Sequence, residues 1–402
     1  MTEESLTAGI AGTAGTTPAG TTPAGTAPAH PAERRRPRVA LLFGGRSSEH
    51  AVSCVTAAGV MGAIDKVKYD VVPIGIAKSG QWVIPSADIG QWSLSASALP
   101  EVAASGRTVT LAEVGGTHQL IVTAPNEVPE ELGSVDVVFP LLHGPWGEDG
   151  TVQGLLELSD TRYVGAGVLA SAVGMDKHFM KVVFEAAGLT VGPYVAVTDR
   201  EWSNDAEAVR KRVDRLGFPV FVKPARAGSS MGISKVDSMD GLDSAIEEAR
   251  RHDLKLVIEA GIVGREIECA VLEGRGTDAP RTSMPGEIAV APGDHAFYDF
   301  NAKYVEDGAA ALSCPADIPD EAIARVRELA AAAFDAVGAE GLSRVDFFYT
   351  PDGELIINEI NTMPGFTPKS MYPQMWAASG LDYSDLIDEL IYLALNRKTG
   401  LR

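Results

Sequence analysis

From residue 38 onward the chain alternates short apolar runs with stretches of helical spacing, whereas the first 36 residues show no hydrophobic period. RVALLFGG (38–45) is apolar throughout and closes on two glycines, and a helical pattern follows from Glu49 to about Ile64. Strand, glycine turn and helix are the opening of an α/β unit. YDVVPIGIA (69–77) and VDVVFPLLHG (135–144) predict further strands, with 78–134 supplying an extra strand or hairpin and weaker elements. Continuous rather than alternating hydrophobicity predicts parallel strands covered on both faces. A second section begins near Gly165, with a helix over 175–188 ended by Gly188. There follow a strand at 218–224, a loop of small residues (ARAGSSMG, 225–232), the strand ISKV, a helix over 239–251 and a strand over 256–262. REIECAVLEG (265–274) alternates as an antiparallel strand does. The third section holds a polar loop over 293–312, a helix over 318–338, strands at 342–350 and 354–361, and a last helix over 382–396.

The leading segment is nearly all Ala, Gly, Thr and Pro, with TTPAG at 16–20 and again at 21–25. Such a stretch buries too little apolar surface to offset its ordering entropy, so it predicts disorder over 1–36. The cluster Arg34, Arg35, Arg36 and Arg38 is either a docking site or the solvated end of that tail.

At 402 residues and 45% apolar, the chain has material for two or three domains with real cores. Its net charge of −20 opposes any broad basic face, which excludes a nucleic-acid partner or anionic lipid as the expected target. The cysteines Cys54, Cys269 and Cys314 are odd in number and lack CxxC or His-paired spacing, as suits a cytosolic chain with reduced thiols and no cysteine-based metal site. No apolar run approaches the roughly 20 residues that span a bilayer, and no signal-peptide core opens the sequence.

Candidate chemistry concentrates in four places. In SRVDFFYTPDGELIINEIN (343–361) two β-rich runs flank the turn residues Pro351, Asp352, Gly353 and Glu354. A turn centred between Asp352 and Gly353 places Asp346 opposite Glu359 and Arg344 opposite Asn361, all on one face. Opposed carboxylates need a cation between them, and Asp, Glu and Asn oxygens suit Mg²⁺. Arg344 adds fixed positive charge for a phosphate or oxyanion. The alternative is a solvated hairpin face, and a one-residue slip of register would scatter the four side chains. Lys223, followed by Gly228, Ser229, Ser230 and Gly232, offers either a phosphate cradle or an ordinary turn beside a surface lysine. HGPWGEDG (143–150) sits at a strand end, where open α/β sheets place ligands, and is either a site loop with His143, Glu148 and Asp149 or a turn with a helix cap. GGRSSEH (44–50) lies at the first strand–helix junction, where backbone N–H groups favour an anion and Glu49 an ammonium. It lacks G-x-G-x-x-G, against a Rossmann dinucleotide site.

Together these segments resemble the D-alanine:D-alanine ligases of the ATP-grasp superfamily. GGRSSEHAVS, HGPWGEDG, MDKHFMK, VKPARAGSSMG, FYDFNAKY, SRVDFF and NEINTMPGFTPKS stand in that family's order and spacing across 38–397. The resemblance implies an α/β, three-domain ATP-grasp architecture: a disordered tail (1–36), an N-terminal parallel-sheet α/β substrate domain (37–165), a central subdomain (166–264) and a C-terminal subdomain with the metal hairpin (265–402). ATP would bind between the last two. It further implies that Lys177 and Lys223, with Ser229 and Ser230, hold the phosphates, that Glu259 and Ile262 bind adenine, and that Glu266 binds ribose. Relatives often carry a Lys where this chain has Ala260-Gly261. Asp346, Glu359 and Asn361 would bind two Mg²⁺ ions, or Mn²⁺. Glu49 would hold the first D-alanine's ammonium near His143, Arg344 and the Gly365 N–H would face its carboxylate, and Ser370 with the Met371 N–H would take the second D-alanine's carboxylate. Lys303 and Tyr304 would sit on a loop closing over the γ-phosphate, with Tyr304 reaching Ser229 and Glu49.

The implied activity is ATP-dependent formation of D-alanyl-D-alanine through an acyl phosphate, for peptidoglycan precursors, by a cytoplasmic homodimer with no nucleic-acid or membrane partner. A D-alanine:D-lactate ligase or another carboxylate–amine ligase of the superfamily is the alternative, against which Tyr304 argues, because depsipeptide makers usually lack it. A catalytically idle nucleotide-binding protein would leave gaps in the site, yet the Lys, Arg, Asp, Glu and Asn positions are all filled.

Overall fold

Residues 39–43 are wholly buried, and they are so because alternate side chains enter two different cores. Val39, Leu41 and Phe43 pack with Cys54, Ala57 and Val60 of the helix His50–Ala63 and with Leu386 and Leu390 of the chain-terminal helix Tyr383–Asn396. Ala40 and Leu42 pack with Val152 and Leu156 of the helix Thr151–Leu158 and with Tyr163. A strand covered on both faces has no polar side, which is why its sequence reads as a continuous apolar run. This strand, Arg38–Gly44, pairs in parallel with Asp70–Ile76 and with Val137–Pro140, and Trp82–Val83 closes the sheet as an antiparallel edge. The computed structural model describes residues 35–86, 88–93, 99–114, 117–290 and 310–399. The tail expected over 1–36 falls almost entirely outside them, as does most of the polar loop expected over 293–312.

The strands Thr108–Val114, Thr117–Thr123 and Glu130–Ser134 form a separate three-stranded antiparallel sheet where a single extra strand or hairpin was expected.

The helix expected over 175–188 is Lys177–Ala186, and a separate helix, Val168–Met175, precedes it. The break is at Asp176, whose carboxylate accepts hydrogen bonds from the His178 and Phe179 N–H groups at 3.1 and 3.2 Å and so starts a new helix. An antiparallel sheet follows, ordered Ser234–Val236, Val220–Pro224, Lys255–Ala260, Tyr194–Thr198. Helices Asp199–Asp214 and Leu242–Arg250 cover it through Val209, Val213, Ile246 and Ala249.

The last sheet is ordered Ala310–Ser313, Gly286–Val290, Arg265–Leu272, Leu342–Tyr349, Leu355–Asn361, with Arg281–Thr282 paired to the side of Arg265–Leu272. Ile267, Cys269, Val345, Phe347, Ile357 and Ile360 turn to one face and bury against Val326, Ala330 and Phe334 of the helix Asp320–Ala336. Period-two alternation leaves Glu266, Glu268, Arg344 and Asp346 on the opposite face. Among the described residues no helix is long and apolar enough to cross a membrane, and the three cysteines are free thiols.

Candidate active site

The hairpin pairs Arg344 with Asn361 and Asp346 with Glu359, the register anticipated from the sequence. It reaches that register by another route. Beside the turn Tyr349 pairs with Leu355 and Phe347 with Ile357, one residue out of step with the functional end. A bulge at Asn358 restores the register. The Arg344 guanidinium donates two hydrogen bonds to the Asp346 carboxylate, at 2.7 and 2.6 Å, and lies 3.1 Å from Glu268 Oε1. The Asn361 amide lies 3.0 Å from Asp346 and 3.5 Å from Glu359. Burial opposes the Arg344 charge, but Asp346 and Glu268 outweigh it and hold the guanidinium protonated well above its ordinary range. Glu268 is directly opposite Asp346 on the neighbouring strand, so Glu268, Asp346 and Glu359 form a row of carboxylates across three strands. Glu268 was not singled out from the sequence, although it lies two residues beyond Glu266 on the same alternating strand.

Three lysines gather beside this face. Lys177 opens its helix and donates from Nζ to the Ala227 carbonyl at 2.8 Å, and burial lowers its pKa. Lys223 lies 2.6 Å from Glu259 Oε2, and Lys181 lies 3.1 Å from Glu259 Oε1. Burial pushes the Glu259 carboxyl up, but the two ammonium groups overcome this and bring it down to about 2. Lys223 responds in kind: burial works against its charge and Glu259 raises its pKa. Lys181, one helical turn from Lys177 within MDKHFMK, is a functional candidate that sequence reasoning passed over. The fields of Lys177, Lys223 and Arg344 all reach Glu359, and that of Lys223 also reaches Glu266.

A second cluster forms around Glu49, which is buried at the start of the helix His50–Ala63. The Ser229 hydroxyl donates to its carboxylate, from a loop in which Ser229 and Ser230 adopt left-handed conformations with φ of 49° and 58°. That loop is anchored by Arg226, whose guanidinium donates to Asp253 at 3.0 and 2.6 Å. Gly144 has φ of 72°, and a Cβ there would collide with Glu49 Oε2; at Gly228 it would come within 2.7 Å of the same atom. His143 Nδ1 lies 3.1 Å from the Met363 carbonyl and Nε2 lies 3.1 Å from the Thr56 hydroxyl. A carbonyl only accepts, so Nδ1 carries the proton and Nε2 accepts from Thr56. Burial lowers the His143 pKa against the pull of Glu49, which favours this neutral ring. Glu148 accepts from the Gly144 N–H at 2.7 Å and the Met363 N–H at 3.1 Å.

Three clusters thus assemble: Lys177, Lys181, Lys223 and Glu259; Arg344, Asp346, Glu359 and Asn361; Glu49, His143 and Ser229. Gly365 lies in the segment that leaves the hairpin, between Met363 and the wholly buried Phe366. Ser370 precedes the helix Met371–Ala378 and accepts from the Thr367 N–H at 3.1 Å, while Met371 is buried against Gly286. Ile262 packs beside Gly192 beyond the end of its strand. Lys303 and Tyr304 lie outside the described residues.

The hairpin face suits a hard cation. Its donors are carboxylate and amide groups that already converge within hydrogen-bonding distance, and Asn361 can present its oxygen by turning its amide. Among the described residues no group of three or more His, Cys, Asp and Glu side chains is arranged to hold a metal without such an amide.

Comparison with known proteins bears on the whole of this arrangement. The family model described as D-ala D-ala ligase N-terminus matches residues 38–166, and that described as D-ala D-ala ligase C-terminus matches residues 183–392. The chain is 90% identical over 367 residues to a D-alanine--D-alanine ligase of Paenarthrobacter aurescens, covering 91% of this chain and 97% of that one. It is 58% identical over 374 residues to a protein of the same description from Kineococcus radiotolerans, covering 91% and 99%. Among solved structures, the VanG D-Ala:D-Ser ligase of Enterococcus faecalis superposes with a TM-score of 0.75 at 35% identity, covering 90% of this chain and all of that one. The D-alanine-D-alanine ligase of Coxiella burnetii gives 0.73 at 35% identity, covering 90% and 95%. The mixed α/β fold is that of these multidomain ATP-grasp enzymes.

Proposed function

The chain belongs to the D-alanine:D-alanine ligase family, and from that premise we propose that it joins two D-alanines into D-alanyl-D-alanine while ATP is cleaved to ADP and phosphate. The observation that carries this reading is the position of Arg344. Its guanidinium belongs to the face whose Glu359 feels Lys177 and Lys223, and its field also reaches Glu148 beside Glu49. A polyanion on the lysine side and a zwitterion on the Glu49 side would meet at that one cation.

In this reading the chain divides into segments 37–165, 166–264 and 265–402, with ATP between the strands carrying Lys223 and Glu259 and the sheet carrying the hairpin. Lys177 and Lys223, with the Ser229–Ser230 loop, hold the phosphates; Glu259 and Ile262 take the adenine and Glu266 the ribose. Lys223 must leave Glu259 to reach a phosphate, and Lys181 remains to compensate that buried carboxylate. Asp346, Glu359 and Asn361 would hold two Mg²⁺ ions, which would draw negative charge from the transferring phosphoryl group. Glu49 and the Ser229 hydroxyl orient the first D-alanine by its ammonium, leaving its carboxylate toward Arg344 and the Gly365 N–H. That carboxylate oxygen attacks the γ-phosphorus as the bond to ADP breaks, giving an acyl phosphate. The amine of the second D-alanine, seated by Ser370 and the Met371 N–H, then attacks the carbonyl and phosphate leaves. The protein would act as a cytoplasmic homodimer.

Measuring ADP release with MgATP and D-alanine, L-alanine, D-serine or D-alanine plus D-lactate tests this. Release with D-alanine alone, accompanied by dipeptide, is expected; release that depends on D-serine or D-lactate would reassign the second substrate.

A further inference from the structure

Glu148 occupies an unusual position for a carboxylate, because its two oxygens accept from the backbones of two segments far apart in the chain. Oε2 takes the Gly144 N–H at 2.7 Å, in the loop after the strand Val137–Pro140, and Oε1 takes the Met363 N–H at 3.1 Å, in the segment that leaves the hairpin. The same two segments are joined a second time, by His143 Nδ1 donating to the Met363 carbonyl. Met363 therefore has both its amide and its carbonyl fixed by the 143–150 loop. On one side of this junction Gly144 lies against the Glu49 carboxylate, in a left-handed conformation that leaves no room for a side chain. On the other side the chain runs from Asn361 through Met363 to Gly365. The groups that face Glu148 electrostatically are Glu49 and Arg344, and among the described residues no lysine or arginine forms a salt bridge with it. Once ionised, Glu148 is a bidentate acceptor of backbone N–H groups, a task that a glutamine of equal size cannot perform, because one of its two ends is itself a donor.

We propose that Glu148 is a positioning residue that fixes the distance between the ammonium-binding end (Glu49) and the carboxylate-binding end (Arg344 and Gly365) of the first amino-acid pocket. This rests on the reading, given above, that the first D-alanine lies between those groups. Loosening the junction lets the two ends drift, and a zwitterion gripped at both ends loses affinity steeply with such drift. The nucleotide lysines belong to other elements, and none is among the charged groups that face Glu148.

The test compares Glu148→Gln and Glu49→Gln with the wild-type enzyme in steady-state kinetics above pH 8, where Glu148 is ionised, resolving KM for D-alanine at the first site, KM for ATP and kcat. Expected for Glu148→Gln is a rise of about tenfold in the first D-alanine KM, with the ATP KM and the kcat reached at saturating D-alanine changed less than about twofold. An unchanged first-site KM would overturn the proposal. So would a variant that fails to fold, or one that loses ATP affinity in step with D-alanine affinity, since either assigns Glu148 to general stability. If Glu49→Gln also leaves the first-site KM unaltered, the placement of the substrate fails instead.

Discussion

Asp346 stands opposite Glu359 because Asn358 drops out of the strand pairing between them and the turn. Had the turn-side register continued, Asn358 would face Asp346 and Glu359 would turn toward the buried face beneath the hairpin. The bulge therefore creates the opposed carboxylate pair that is proposed above to hold a divalent cation.

Replacing Glu359 by Gln removes one ligand charge with no change of volume. Turnover is expected to fall about 100-fold at saturating substrates, with the melting temperature within a few degrees of wild type. Near-normal turnover in that variant would contradict a shared cation at the hairpin.

Gly144 admits no Cβ, because the Glu49 carboxylate occupies that space and the backbone is left-handed there. Gly144→Ala should lose D-alanine affinity while ATP binding, followed by calorimetry with a non-hydrolysable analogue, stays within about twofold. Equal losses for both ligands would show that the 143–150 loop serves the whole site.

Lys181 and Lys223 share Glu259, so Lys181→Met leaves a buried carboxylate with one cation rather than two. A loss of about 3 kcal/mol in unfolding free energy is expected by urea titration. The acid side follows from the same pair. Glu259 ionises near 2 when folded against an ordinary 4.5, so its contribution is complete above 4.5 and lost as pH falls toward 2. In Lys181→Met that acid-induced loss should be smaller and should be complete at a higher pH.

Glu148 has the opposite sign. Burial and the nearby Glu49 push its carboxyl up to about 8 against an ordinary 4.5, in spite of Arg344 and the two N–H donors. Below 4.5 it is neutral in both states; from there to about 8 the unfolded chain releases a proton that the folded chain keeps. Stability from this group is therefore present in acid and lost as pH rises through that window. The melting temperature of wild type relative to Glu148→Gln should drop between about pH 5 and about pH 8.5. A constant difference would show that Glu148 does not titrate there.

Much of this was legible in the sequence where side-chain period and burial agree. Residues 39–43 announced a strand buried on both faces, and the hairpin pairs followed from alternation and turn residues. The route to the pairing was not legible, since a bulge compensates a turn placed one residue away and leaves no compositional mark. The strand Tyr194–Thr198 and helix Asp199–Asp214 went unread although Thr198 and Glu201 form a reciprocal cap, because that helix is largely polar and buries only Trp202, Val209 and Val213. Glu268, Lys181 and Glu148 each sit inside a segment that sequence reasoning had marked. Their importance lies in which neighbours reach them across strands and loops, which is information that tertiary packing supplies.

The central claim is that the first D-alanine's carboxylate oxygen attacks ATP. It is tested most directly by supplying D-alanine labelled with ¹⁸O in its carboxylate, with MgATP, and analysing the phosphate by mass spectrometry. The account predicts one ¹⁸O atom transferred to inorganic phosphate for each dipeptide formed from labelled substrate. Dipeptide formation with unlabelled phosphate, or phosphate release that proceeds equally well without D-alanine, would contradict it.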